Sequence, residues 1–221
     1  MKTWTPRPAA TSAPANLVRL LDELRAGGIS DQRVLDAIAR VPRHEFVEGA
    51  WRAEAYHNKP LPIGLSQTIS QPYIVAAMTQ VLLEGGPRAR VLEVGTGCGY
   101  QTAVLAGLVQ IVYSVERIKA LSESARVRLR ELAYRNIHFA YADGTLGWEA
   151  HAPYDGIIVT AAATEIPAAL KAQLAPGGRL VIPVGPAQNA QSLRVIDRTP
   201  RGLVERDLLP VSFVPLLTGR A

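Results

Sequence analysis

Short apolar runs alternate with longer segments whose apolar residues recur at helical spacing, from about residue 90 to the end of the chain. The runs have the length of strands, and the segments between them have the length of helices. This alternation is typical of an α/β fold with a mostly parallel sheet. The runs predicted as strands are Val91–Val94, Ile111–Glu116, Ile137–Ala142, Asp155–Thr160, Arg179–Val184, Ser192–Arg198 and Leu203–Leu216.

The segments predicted as helices carry apolar side chains at intervals of three and four residues. Asp31 is suited to cap the second helix, and Pro72 is suited to the first turn of the third. The predicted helices are Asn16–Ala26, a helix from the Asp31 cap to Arg40, Pro72–Leu83, Tyr100–Val109, Ile118–Tyr134 and Thr164–Leu174.

These elements predict one domain with a tail in front of it. Residues 1–15 are rich in Pro, Ala and Thr, so we expect them to be disordered. Residues 16–221 form the domain, which has three parts. They are an N-terminal helical extension at 16–60, a loop and helix for substrate and cofactor at 61–89, and a Rossmann-like core at 90–221.

A glycine-rich turn follows the first strand of the core. Gly95, Gly97 and Gly99 permit positive φ and a close approach of the backbone to a nucleotide-like ligand. The dinucleotide-binding pattern would need a third glycine where Tyr100 stands. With Glu93, the form E-x-G-x-G-x-G resembles motif I of S-adenosylmethionine-dependent methyltransferases. A glycine-rich turn of some other α/β protein is the alternative.

Two later strands end in acidic residues. Glu116 follows Gly95 by 21 positions, the usual offset at which a carboxylate at a strand end meets ribose hydroxyls. Asp143-Gly144 follows the third strand, where an acid can accept a hydrogen bond from an adenine amino group. An ordinary Asp-Gly turn is the alternative for that pair.

The segment before Pro72 carries four small hydroxyl or amide side chains within five positions, namely Gln67, Thr68, Ser70 and Gln71. One such residue is enough to cap the helix that begins at Pro72. The excess favours a functional loop over a simple helix cap.

This loop resembles the signature of the protein-L-isoaspartate O-methyltransferases, which act on damaged aspartyl and asparaginyl sites. The matching motifs follow the family's order and span residues 41 to about 216. They are Val41-Pro-Arg-x-x-Phe-Val47, Pro62-Ile-Gly-x-x-Gln-Thr-Ile-Ser-Gln-Pro72, Pro153-Tyr-Asp-Gly-Ile-Ile-Val-Thr-Ala-Ala162, Leu174-x-Pro-Gly-Gly-Arg-Leu-Val-Ile-Pro-Val-Gly185 and Phe213-Val-Pro-Leu216.

The resemblance implies a Rossmann-like α/β methyltransferase with a central, mostly parallel sheet, helices on both faces and an N-terminal helical extension. It implies methyl transfer from S-adenosyl-L-methionine, with S-adenosyl-L-homocysteine as product. The acceptor is the free α-carboxylate of L-isoaspartyl residues in damaged proteins, and D-aspartyl residues are a further candidate.

The same resemblance assigns roles to individual residues. Ser70 is the catalytic candidate, as a hydrogen-bond donor that orients the carboxylate. The residues expected to bind the cofactor are Thr68, Ile69, Glu93, Gly95, Thr96, Gly97, Gly99, Glu116, Arg117, Asp143 and Gly144. Those expected to bind the substrate are Thr68, Ser70, Ala161, Ala162 and Val214.

Three other functions compete with this one. A related O-methyltransferase for a biosynthetic peptide or a small carboxylate would be expected to alter residues 61–72, which are intact. A non-catalytic S-adenosylmethionine-binding protein would be expected to lose Ser70 or Glu116. A nucleobase N-methyltransferase often carries Asn/Asp-Pro-Pro-Tyr at a place where this chain has Thr160-Ala-Ala-Ala.

The composition limits the partners and the cellular compartment that we expect for this chain. The net charge is +5, but the arginines are spread along the chain, so we expect no nucleic-acid partner. No apolar run reaches 18 residues and the N-terminus lacks the apolar stretch of a signal peptide, so we expect neither a membrane span nor secretion. A single cysteine, Cys98, and four scattered histidines predict no disulfide and no metal site. We therefore expect a cytoplasmic monomer.

Overall fold

The computed structural model describes residues 14–186 and 190–221. Its helices are α1 Ala15–Ala26, α2 Gln32–Arg40, α3 Pro72–Leu83, α4 Tyr100–Ala106, α5 Lys119–Glu131 and α6 Ala168–Ala172. Its strands are β1 Leu61–Pro62, β2 Thr68–Ile69, β3 Arg90–Val94, β4 Ile111–Glu116, β5 Ile137–Tyr141, β6 Tyr154–Val159, β7 Leu174–Val184, β8 Gln191–Thr199 and β9 Gly202–Val211.

Seven strands form one sheet in the order β5-β4-β3-β6-β7-β8-β9. The first five run parallel, and β8 runs antiparallel to both of its neighbours. In register, Leu92 of β3 lies between Tyr113 of β4 and Ile157 of β6. The predicted α/β fold is confirmed, and the strand order at the C-terminal end is information that the sequence pattern did not supply.

Alternate side chains of the sheet enter two hydrophobic cores, one on each face. Val91, Val112 and Ile158 pack with the N-terminal extension, α3 and α4. Leu92 and Ile157 pack on the other face with Leu170 of α6. Because strand side chains alternate in direction, a sheet buried on both faces needs continuous apolar runs, which these strands have.

Local signals place the ends of several helices. The Asp31 side chain accepts a hydrogen bond of 2.9 Å from the Arg33 amide at the start of α2, as predicted. Pro72 occupies the first turn of α3, as predicted.

Other predicted bounds were wrong. The helix expected at Thr164–Leu174 is confined to Ala168–Ala172, after Pro167 and before β7. The last strand ends at Val211 instead of Leu216, because residues 213–216 leave the sheet for the loop after β6. Helices α4 and α5 also stop earlier than predicted, at Ala106 before Gly107 and at Glu131 before the left-handed Ala133.

The expected disordered tail, residues 1–15, lies mostly outside the described residues, which begin at residue 14. Its last member belongs to a helix, because Ala15 is the first residue of α1.

Candidate functional site

A cleft that encloses about 930 Å³ of empty space, open solvent at its mouth included, lies at the carboxyl ends of β3, β4 and β6. From β3, the next two strands of the chain, β4 and β5, continue the sheet on one side. The strand after them, β6, pairs with β3 on its other side, so the strand order reverses at β3. Ligands of open α/β sheets bind at such a reversal. We call it the first cleft; its lining includes Ile63, Gln67, Thr68, Ile69, Ser70, Val94, Gly95, Thr96, Gly97, Cys98, Tyr100, Val115, Glu116, Arg117, Ile118, Leu121, Gly144, Thr160, Ala161, Val214, Leu216 and Leu217.

The glycine turn forms the floor of this cleft in a conformation that other residues rarely adopt. Gly95, Gly97 and Gly99 have φ of +96°, +54° and +90°. A Cβ atom on Gly95 would lie 2.3 Å from Thr160 Oγ1 and would clash with it. The turn therefore combines positive φ with a close approach of β6, and both require glycine at position 95.

Glu116 ends β4 with its carboxylate at the cleft. Oε2 accepts a hydrogen bond of 2.9 Å from the Gly97 amide, and Oε1 accepts one of 2.9 Å from the Ile118 amide. A carboxylate has about four acceptor positions, so others stay available to a ligand hydroxyl. The buried side chain is thus held in place before any ligand binds.

Glu93 does not line the cleft, so the structure gives no support to its predicted contact with the cofactor. It is fully buried beneath the glycine turn, and its Oε2 accepts hydrogen bonds from Thr102 Oγ1 at 2.5 Å and from Ser114 Oγ at 2.6 Å. Ser114 in turn lies 2.6 Å from Thr96 Oγ1. Burial raises the pKa of Glu93 to about 8, against the lowering effect of these two donors.

Gly99 is also absent from the lining, and so is a third predicted cofactor contact, Asp143. Its Oδ1 accepts from the Thr145 amide and hydroxyl, and its Oδ2 accepts from the Gly219 amide at 2.6 Å. Burial alone would raise its pKa, but the hydrogen bonds from Gly219 and Thr145 outweigh burial and lower the pKa. Asp143 thus caps the turn that follows β5, and its neighbour Gly144 lines the cleft instead.

The hydroxyl-rich loop folds over the cleft as a short hairpin. Strand β1 pairs with β2 antiparallel, with Leu61 opposite Ile69. Ile69 is buried, while Thr68 is exposed and Ser70 is half-buried. The loop therefore places both hydroxyl side chains at the cleft through one buried anchor, as the predicted roles require.

A second cleft, with about 910 Å³ of empty space that includes open solvent, adjoins the first on the side of the C-terminal segment. Its lining is Pro60, Thr68, Ser70, Gln71, Ile74, Thr160, Pro210, Val211, Ser212, Phe213 and Val214. Thr68, Ser70, Thr160 and Val214 line both clefts. These four residues form the junction between the two clefts.

The main chain of Ala162, a predicted substrate contact, is hydrogen-bonded within the protein. The Ala162 amide donates to the Val214 carbonyl at 2.8 Å, and its carbonyl accepts from the Leu216 amide at 2.7 Å. These bonds fasten the C-terminal segment to the loop after β6. Ala161 lies at the surface of the first cleft, whereas Ala162 is buried.

The C-terminal segment completes the wall of the first cleft. Arg117 Nε donates to the Gly219 carbonyl at 3.1 Å, and the Ala221 amide donates to the Arg117 carbonyl at 2.7 Å. Leu216 and Leu217 line the cleft as a result. Sequence reasoning did not assign these two leucines a role, because nothing in their own pattern shows where the chain returns.

Thr160 was also missed as a site residue. Its hydroxyl donates to the Gly95 carbonyl at 2.6 Å, so it supports the glycine turn from β6. The available signal was its place at the end of a strand next to the first one. In the sequence, this position otherwise bears only on the Asn/Asp-Pro-Pro-Tyr motif, which the chain lacks.

The first cleft fits S-adenosylmethionine by its own residues. Gly95 and Gly97, both at positive φ, let a ligand approach the backbone, Glu116 offers acceptors for ribose hydroxyls, and Ile118 and Leu121 offer apolar surface. Within residues 14–186 and 190–221, no three His, Cys, Asp or Glu side chains are grouped to hold a metal ion. Over the same ranges, no helix is long and apolar enough to cross a membrane.

Comparison with a family model and comparison with individual proteins identify the same enzyme family. A family model described as protein-L-isoaspartate(D-aspartate) O-methyltransferase matches residues 15–221. Proteins named protein-L-isoaspartate O-methyltransferase from Pseudomonas paraeruginosa and Pseudomonas fluorescens are each 56% identical over 201 residues, which is 91% of this chain and 95% of theirs.

Two solved structures share the fold. One, named protein-L-isoaspartate O-methyltransferase, has a TM-score of 0.82 at 28% identity over 90% of this chain and 65% of its own. This chain therefore spans about two thirds of that protein. Another, from Plasmodium falciparum and solved with S-adenosyl-L-homocysteine, has a TM-score of 0.80 at 26% identity over 92% of this chain and 99% of its own.

Proposed function

We propose that this protein transfers the methyl group of S-adenosylmethionine to the α-carboxylate of L-isoaspartyl residues in damaged proteins, because it belongs to the protein-L-isoaspartate(D-aspartate) O-methyltransferase family. The observation that carries the proposal is the junction of the two clefts at Thr68 and Ser70. One cleft suits the methyl donor, and the other suits an extended polypeptide that carries the acceptor.

For the methyl donor, the protein has to fix the position of the cofactor and does not have to supply a reactive group. When bound, S-adenosylmethionine supplies an electrophilic methyl group on a sulfonium. The glycine turn, Glu116 and the loop after β5 at Gly144 would hold it in the first cleft, with Thr68 and Ile69 closing over it. Arg117 would contribute from the rim. Glu93 would act beneath the turn, through Ser114 and Thr96, instead of by direct contact.

The acceptor side needs no general base. An α-carboxylate has a reference pKa below about 4, so it is ionised at neutral pH and already nucleophilic. The residues at the junction have to hold its oxygen about 3 Å from the methyl carbon and exclude water. A hydroxyl donor such as Ser70 can orient the carboxylate without placing a full charge beside the reacting oxygen. This explains why neutral side chains line the junction.

The second cleft supports a polypeptide acceptor. Phe213 and Ile74 offer apolar surface, and the segment 210–214 runs along one side from the end of β9, the edge strand of the sheet. Recognition through main chain tolerates varied sequences around the damaged residue. The methyl ester then closes spontaneously to a succinimide, which hydrolyses partly to normal aspartate, so the repair step belongs to the substrate.

We further propose a cytoplasmic monomer that acts without nucleic acid or membrane. The single cysteine and the dispersed arginines support this setting. D-Aspartyl residues are a second acceptor class in the proposal, because the description of the family model includes them.

The remaining alternative is an O-methyltransferase for a small carboxylate, and acceptor length distinguishes the two functions. We expect kcat/KM to be at least about tenfold higher for an isoaspartyl peptide of eight residues than for the β-aspartyl dipeptide, since only the longer acceptor fills the second cleft. Equal values for both acceptors, or a higher value for the dipeptide, would favour the small-molecule function.

A further inference from the structure

Arg43 is a buried cation behind the junction of the two clefts. Its side chain is 0% exposed, and it lines neither cleft. Among the described residues, no carboxylate oxygen lies within 4.0 Å of its guanidinium. The nearby acid Glu45 is instead paired with Arg52. Burying a charge without a counter-ion is costly, so a residue that persists in this state needs an explanation.

The guanidinium joins three parts of the site. Nε donates to the Ala55 carbonyl at 2.8 Å, and Nη2 donates to the Ser70 carbonyl at 2.8 Å. Its central carbon lies 4.7 Å from the centroid of the Tyr100 ring, at the start of α4. Arg43 therefore holds the N-terminal extension, the acceptor loop and the helix after the glycine turn in one arrangement.

The groups around Arg43 do not neutralise it. Tyr100, Cys98 and Tyr56 are its ionisable neighbours, and burial raises the pKa of each, that of Tyr100 to about 12. All three are neutral at pH 7. Burial lowers the pKa of Arg43, but arginine stays protonated in proteins. A full positive charge thus stands directly behind the Ser70 peptide.

Arg88 is a second buried arginine of this chain, and its role is structural. It is buried as well, and it donates to the carbonyls of Leu82, Glu84 and Gly177. Two of these carbonyls belong to the C-terminal end of α3, whose dipole favours a cation. The end of this helix therefore gives the charge of Arg88 a structural explanation, and no helix end does the same for Arg43.

We propose that Arg43 is a positioning residue whose buried charge selects an anionic acceptor at Ser70. It acts through the Ser70 peptide, which it fixes, and through its field at the junction, which attracts the carboxylate. The same field opposes the sulfonium of the donor, so it favours the neutral product S-adenosylhomocysteine over S-adenosylmethionine. This inference rests on the proposed function for the acceptor, but its effect on the two forms of the cofactor is independent of turnover.

The test compares two ligands of opposite charge in one set of variants. They are the isoaspartyl peptide, which brings a carboxylate, and S-adenosylmethionine, which brings a sulfonium. In Arg43→Gln we expect the KM for the isoaspartyl peptide to rise about tenfold, the scale of one unit charge in a partly buried site. In the same variant, the affinity for S-adenosylmethionine relative to S-adenosylhomocysteine, measured by calorimetry, should rise several-fold. A structural lesion would weaken all three ligands together.

Two variants complete the design. Arg88→Gln is the matched control, and it should lower thermal stability while leaving the ratio of the two cofactor affinities unchanged. Arg43→Lys keeps a charge that a rise in pH can remove, because burial lowers the pKa of a lysine. Its affinity ratio should match wild type at the acidic end of a titration from about pH 5 to pH 10, and it should rise as the lysine loses its proton, with wild type constant. The pH dependence of Arg43→Lys therefore tests the proposal even if Arg43→Gln does not fold.

An unchanged affinity ratio in Arg43→Gln, or a ratio in Arg43→Lys that does not move with pH, would overturn the proposal. If wild type methylates no isoaspartyl peptide, the proposed function fails instead, and the two cofactor affinities still report on Arg43.

Discussion

The Gly97 amide donates a hydrogen bond of 2.9 Å to the carboxylate of Glu116. This bond ties the middle glycine of the turn after β3 to the acid at the end of β4. The two features that the sequence offers separately, a glycine motif and an acid 21 residues later, are therefore parts of one preformed structure. A ligand that reaches Glu116 meets a carboxylate whose position is already fixed.

Glu116→Gln should weaken binding of S-adenosylhomocysteine about 10- to 100-fold, because hydrogen bonds to a charged group contribute about 1.5–3 kcal/mol. The amide removes the charge, and its NH₂ group leaves one of the Gly97 and Ile118 amides without an acceptor. Calorimetric titration of the variant measures the loss. Glu123→Gln, at an exposed position on α5, is the control and should bind as wild type does. Equal affinity in Glu116→Gln would remove the ribose assignment.

Glu93→Gln should change how stability depends on pH. Glu93 has a pKa of about 8 in the folded protein and 4.5 ordinarily, so between these values the unfolded chain ionises while the folded protein keeps its proton. The contribution of Glu93 to the free energy of unfolding is therefore fully present below about pH 4.5 and is lost as the pH rises to about 8.

Urea denaturation at pH 5 and at pH 8.5 tests this sign. The free energy of unfolding of Glu93→Gln, relative to wild type, should increase between the two pH values by up to a few kcal/mol, at about 1.4 kcal/mol per pKa unit. The exposed Glu123→Gln should show no such trend. A constant difference between Glu93→Gln and wild type would mean that Glu93 is ionised in the folded protein.

Apolar patterning and glycine placement were enough to predict a mostly parallel sheet and the glycine turn at which the first cleft lies. The runs at β3 and β4 are continuous because both faces of the sheet are covered, and Gly95 ends the first run where the backbone must turn. These signals are local, so they can be read from neighbouring residues. The family's motifs added the loop at Ser70, which does lie at the cleft.

What the sequence could not show is contact between residues distant in sequence. Asp143 has the right residue type and position for a ligand, and Gly219, 76 residues later, also donates to one of its oxygens. The Ala162 main chain is likewise taken by the segment 214–216. Glu93 is adjacent to the motif yet points into the core. No local sequence pattern shows that a residue near the end of the chain will be the hydrogen-bond partner.

Ser70→Ala should lower kcat about 100-fold, the scale for losing one donor that stabilises a developing transition state, while the affinity for S-adenosylhomocysteine stays within about twofold. The substitution keeps the Ser70 carbonyl, so the bond from Arg43 survives and the loop stays in place. Ser30→Ala, on the exposed loop between α1 and α2, is the control and should leave kcat unchanged. A collapse of cofactor affinity would place Ser70 in the cofactor site and remove its role toward the acceptor.

The central claim is that the acceptor is an isoaspartyl carboxylate, and two peptides that differ only in one linkage test it most directly. One carries L-isoaspartate and the other normal L-aspartate at the same position, and each is incubated with wild type and methyl-labelled S-adenosylmethionine. We predict base-labile methyl incorporation into the isoaspartyl peptide alone. Equal incorporation into both peptides, or incorporation into neither, would contradict the account.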